Sequence, residues 1–162
     1  MHRSLLLAPL ALVIVAGCSN SPADVAGSYS INTTNGTNGC MLDNWDGQSA
    51  TSVPLTIVQS GDSVTATLDG VAGAYFDLVV GSRAFSGAVR GDEISMTMHG
   101  TRTYTQGGCV WTIQVDADAT VTGDFIEGTL TWTAATNHAP DCGIAETCMN
   151  LQAFNGTRPP RR

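Results

Sequence analysis

Beyond Cys18 the chain alternates apolar and polar residues with a period of two, the mark of strands buried on one face, and almost nothing in it reads as helix. Three Gly-Asp pairs organise the alternation: Gly61-Asp62, Gly91-Asp92 and Gly123-Asp124. Each lies between two alternating runs, where a two-residue hairpin loop favours glycine at its first central position. The strands leaving these turns share one register: Val64, Ala66, Leu68; then Ile94, Met96, Met98; then Ile126, Gly128, Leu130. Between them stand Thr65, Thr67, Ser95, Thr97, Glu127 and Thr129. The turns are 30 and then 32 residues apart, an internal repeat built on hairpins.

Strands entering the turns are expected at 55–59, 85–90 and 109–121, with others at 27–33, around Tyr75 to Val80, and at 151–157. The resulting expectation is an all-β domain over 26–157, an antiparallel meander closed or nearly closed into a small barrel of eight or nine strands. Closure buries the apolar face and hides the sheet edges at once. Gly27-Ser28-Tyr29 and Phe154-Asn155-Gly156-Thr157 would pair to seal it. A two-sheet sandwich fits the same pattern. Irregular segments are expected at 35–52 and 137–148. Counting by twos from Ile94 would bury Arg102 and Tyr104; a bulge at Gly100 is the favoured escape, a strand end or a place for Arg102 at the barrel mouth the others.

The amino terminus is of a different kind. Met1-His2-Arg3 carries one firm positive charge, and Ser4 to Val15 is an apolar run about half as long as the roughly 20 residues a spanning helix needs. Val15-Ala16-Gly17-Cys18 then resembles the lipobox of bacterial lipoproteins. The resemblance implies that 1–17 is a signal peptide and that Cys18 becomes the acylated amino terminus, carrying palmitate-type chains. It implies further that 18–25 is a tether to the membrane. In Gram-negative lipoproteins an Asp after the cysteine favours the inner membrane; Ser19 stands there, which points to the outer membrane.

Composition narrows the chemistry. The fourteen carboxylates face seven cationic side chains, every one an arginine. Without lysine there is no Schiff base, no pyridoxal attachment and no P-loop, and an acidic chain is a poor partner for nucleic acid. Arg158 to Arg162 reads as a basic, solvated tail. With Cys18 acylated, Cys40, Cys109, Cys142 and Cys148 remain, an even number in an exported domain, hence two disulfides. The favoured pairing is Cys142–Cys148, a local loop, with Cys40–Cys109. A metal site from Cys142, Cys148 and His138 is the rival reading, against which the spacing and an oxidising compartment both argue.

Catalysis has little to rest on. His99 and His138 lack a nearby nucleophile motif, Asp116 and Asp118 alternate on an outer strand face, and Asp43 and Asp46 flanking Trp45 suit a turn. No cofactor is called for. Trp111, Trp132, Met96, Met98 and Phe85 fall on the inward side as possible ligand-lining groups, and smaller inward residues such as Ala66, Gly87, Ala117 and Gly128 leave room for a pocket. Gly27-Ser28-Tyr29 on the first strand, the meander and the return of the last strand together resemble the calycin group of lipocalins and avidins in outline, although tyrosine stands in the usual tryptophan position. The sequence thus leads to a lipid-anchored envelope protein that is not an enzyme and acts by binding or as surface structure. A lipocalin-like carrier of a small apolar ligand is the alternative.

Overall fold

The computed structural model describes residues 21–43, 45 and 47–160. The leader, Cys18 and the last two arginines lie outside the described residues. Nine strands run in the order β1 (Gly27–Asn38), β2 (Ser49–Ser60), β3 (Ser63–Leu68), β4 (Ala84–Arg90), β5 (Glu93–His99), β6 (Tyr104–Gln106), β7 (Cys109–Thr122), β8 (Phe125–Thr136) and β9 (Asn150–Thr157). Every pairing is antiparallel. A continuous ring runs β1-β2-β3-β4-β5-β7-β8-β9 and returns to β1. It is a closed eight-stranded barrel, with β6 added outside the ring on β7. Unbroken hydrogen bonding around the ring excludes the two-sheet sandwich. The first and last strands do seal it, but 154–157 pairs with 30–33, three residues beyond the expected partners.

The alternation is what closes the barrel. On β5, Ile94, Met96 and Met98 are buried while Glu93, Ser95 and His99 face outward. On β7, Val115, Ala117, Ala119 and Val121 do the same. The Gly-Asp turns are two-residue loops with φ between 62° and 64° at each glycine and no positive φ at the aspartate, a primed turn with glycine first. They also repeat in three dimensions. Asp62, Asp92 and Asp124 each accept, at the backbone carbonyl, an N–H from the end of a later strand: Val89 at 2.7 Å, Val121 at 2.9 Å and Arg158 at 3.0 Å.

Four expectations are corrected. The segment around Tyr75 to Val80 is not a strand but most of a helix, α1 (Gly70–Val79), which carries the chain from β3 to β4. Its inward side is set by Gly73, Phe76 and Val79, a helical spacing that the apolar residues on its other side conceal in the sequence. Next, β5 neither bulges nor buries Arg102. The strand ends at His99, the Gly100 N–H still reaches Ile113 O at 2.7 Å, and the chain then turns beneath the end of α1. There the Thr101 and Arg102 N–H groups both donate to Val80 O at 3.0 Å, leaving the Arg102 side chain exposed.

Arg158 is the third correction. It is no part of a solvated tail but is 9% exposed. The fourth is the disulfide pairing, which is Cys40–Cys148 and Cys109–Cys142. A 3-10 helix over Pro140–Glu146 carries Cys142 to the start of β7, and Cys148 then meets the chain leaving β1. Both bridges join segments that closure of the barrel has brought together, so neither is local in sequence. The first irregular segment is shorter than expected, because β1 continues to Asn38 and β2 starts at Ser49, while the second runs over 137–149 and includes the 3-10 helix.

Candidate functional site

The two ends of the barrel differ. The turn end carries the three Gly-Asp loops and is plugged by the segment before β1. The Ala23 N–H donates to Gly91 O at 2.6 Å and the Val25 N–H to Gln59 Oε1 at 2.8 Å, and Val25 is fully buried. Arg158 locks this end. Its guanidinium donates to Ala26 O, Asp24 O, Gly123 O and the Asp124 carboxylate, at 2.7 to 3.1 Å. Burial pushes the Tyr29 phenol above its usual value, although the neighbouring Arg158 charge pulls the other way. The Tyr29 hydroxyl donates to Val25 O at 2.9 Å.

The loop end holds α1, the short strand β6, the described residues of 39–48, the segments at 100–103 and 137–149, and both disulfides. Here the inward row Met98, Val115 and Trp132 lies across β5, β7 and β8. Phe76 of α1 packs on the Trp132 ring at 5.6 Å between centroids, and Trp45 meets the same ring edge-on at 6.3 Å. The Trp132 Nε1 is buried and has no hydrogen-bond partner among the described residues. By contrast, the Trp45 indole donates to Gly36 O at 3.1 Å, and buried Asn150 accepts the Cys40 N–H at 2.9 Å. The end of α1 is pinned by the Tyr104 hydroxyl, which donates to Val79 O.

The five expected ligand-lining residues do not surround one space. Phe85, Met96 and Met98 are at most 5% exposed and belong to the packed core. Trp132 stands at the mouth, partly buried against that core. Trp111 lies elsewhere, stacked on Tyr104 with centroids 5.8 Å apart. The small residues expected to leave room inside do not line an inner pocket: Ala66 and Ala117 are buried in the core, whereas Gly87 and Gly128 line the outer wall, where a Cβ on Gly87 would lie 2.0 Å from Ser95 O and one on Gly128 2.2 Å from Asp118 O. An open groove of about 740 Å³ runs instead on the outer wall, where Arg90, Glu93, Thr120 and Glu127 form one cross-strand row beside Ser95 and Asp118.

Polar groups with catalytic potential are engaged in structure. Asp116 and Asp118 accept hydrogen bonds from Thr97 at 2.7 Å and Ser95 at 2.8 Å. His138, at φ 58°, faces Glu146 through Nδ1, and the Thr136 hydroxyl donates to the other Glu146 oxygen. The Thr136 bond, then the His138 bond, hold the Glu146 carboxyl below its usual range. Cys142 and Cys148 are each oxidised, so the rival metal set has no thiolate to offer.

Sequence reasoning missed two parts of this arrangement. Phe76 was hidden in an expected strand, and Trp45 was given only a place in a turn. A 3.6-residue spacing through Gly73, Phe76 and Val80 was the available signal for the first; nothing local marks the second, whose contact with Trp132 is 87 positions away. Comparison with protein-family models, with curated proteins and with solved structures gave no match.

Proposed function

We propose that the chain is a lipid-anchored bacterial envelope protein, held by acylated Cys18 and acting through binding or surface structure rather than catalysis. The leader supports the anchor, and two disulfides suit an exported domain. The barrel's outer rows of Ser, Thr, Asp and Glu suit contact with water and not with hydrocarbon, so attachment falls to the anchor. Ser19 in place of aspartate favours the outer membrane.

The observation that carries the reading is a polarity between the two ends. The segment from Ala23 is fixed across the turn end, so an anchor on Cys18 would hold that end to the membrane. Exposed apolar side chains gather at the opposite end: Val71, Tyr75 and Leu78 on α1, Met41 and Leu42 beside Cys40, Ile144 and Met149 beside Cys148. Apolar surface presented away from the anchor is what an interaction module offers. The test is the intact mass of protein purified from its native membrane. The expected species starts at Cys18, carries acyl chains and has lost four hydrogens to two bridges; one that begins at Met1 or bears a free thiol at Cys18 overturns the reading.

A carrier of a small apolar ligand is the second reading, and the Trp132 indole at the barrel mouth, whose Nε1 has no hydrogen-bond partner among the described residues, is the observation in its favour.

A further inference from the structure

A buried N–H without an acceptor costs free energy, and native interiors rarely keep one without a reason. Indole is a donor only, so Trp132 cannot be satisfied by another donor. No acceptor among the described residues reaches it: Met98, Val115 and Asn150 lie in its row, the Asn150 Oδ1 already takes the Cys40 N–H, and Phe76 and Trp45 cover the indole with rings. A phenylalanine would supply the same apolar packing without the orphan group.

A molecule that is apolar over most of its surface and carries one acceptor answers both features. The rings take its body and the N–H takes its acceptor. The covering helix is pinned at its end by Tyr104 and is less tightly capped at its start. Its N-cap residue Asp69 makes no side-chain cap bond, because Thr56 holds its carboxylate at 2.7 Å. Gly70 and Gly81, at the two ends of the helix, sit at φ 63° and 78°. Met98, beneath the indole, is a side chain that repacks readily.

We propose that the layer between α1 and Trp132 is a binding site for a small apolar molecule with a single hydrogen-bond acceptor, such as a ketone or an ester. The site is at the mouth, above an interior that Phe85 and Met96 already fill. The inference rests on the carrier reading given above and is independent of the anchor.

The experiment titrates the full acylated chain in detergent micelles with acetophenone and with ethylbenzene, which share a shape but differ in the acceptor. The Trp132 indole N–H resonance, identified by its loss in Trp132→Phe, reports binding. Acetophenone should move it downfield to saturation and bind about tenfold more tightly than ethylbenzene. In Trp132→Phe, where binding is read from line broadening of the ligand signals, that preference should vanish while ethylbenzene still binds. Phe76→Ala should weaken both ligands and keep the preference. Equal affinity for the two ligands overturns the acceptor assignment, and no response to either, or a persistent water contact at the N–H, overturns the site. Acylation is read separately by mass, so failure here is distinct from failure of the anchor.

Discussion

The Arg158 guanidinium lies over the Tyr29 ring, 5.5 Å from its centroid, and so joins the last strand to the first. The same group holds three backbone carbonyls from two other segments and the Asp124 carboxylate. In the repeat of turn contacts, Val89 and Val121 occupy the equivalent places. Where two copies of the repeat end in a buried valine, the third ends in a cation, whose guanidinium reaches the Asp24 and Ala26 carbonyls of the segment that plugs this end.

Arg158→Ala should therefore destabilise the barrel by about 3 kcal/mol, since it strands a partly buried carboxylate and several carbonyls. Arg158→Lys should recover only part of this, because one ammonium cannot reproduce a planar fork. Urea denaturation of the oxidised protein measures both. Equal stability of Arg158→Ala and the parent would remove the latch from the account.

Non-reducing peptide mapping should yield Cys40 linked to Cys148 and Cys109 linked to Cys142. By loop closure, the bridges spanning 108 and 33 residues contribute about 5 and about 4 kcal/mol. The Cys40→Ser, Cys148→Ser double variant should accordingly lose slightly more stability than the Cys109→Ser, Cys142→Ser one.

Two kinds of glycine should respond differently to alanine. At Gly123 a Cβ meets open space and only the positive φ of 63° resists, so Gly123→Ala should cost about 1 kcal/mol. At Gly87 the Cβ would run into the Ser95 carbonyl of the paired strand, which backbone movement alone can relieve. Gly87→Ala should cost more than Gly123→Ala in the same denaturation assay.

Glu146 should titrate below the ordinary carboxylate range near 4.3, since Thr136 and His138 both favour its charged form. A lowered folded value means that these contacts support the 137–149 loop above the unfolded carboxylate pKa. The support is lost as pH falls through the folded one. Carbon-detected titration of the Glu146 carboxyl checks this, and Thr136→Ala should move the midpoint upward.

Ser19→Asp should shift the acylated protein from outer to inner membrane fractions on a density gradient, and Cys18→Ser should leave it without acyl chains. An unchanged distribution of Ser19→Asp would remove the outer membrane from the proposal.

Alternation by two and glycine-led turns determined the hairpin strands and their buried faces, because each hairpin is specified within a dozen residues and its register flips every side chain if it slips, but they fitted barrel and sandwich alike. Local signals also placed the cysteines in an oxidised domain. They could not place what ring closure alone brings together. Cys40 meets Cys148, Arg158 meets Tyr29, and Phe76 and Trp45 meet Trp132 only once eight strands have closed. The helix, too, was decided by tertiary context: an apolar segment with no acid in its first turn and no base in its last reads equally as strand, until the open mouth of a barrel offers it a surface to cover.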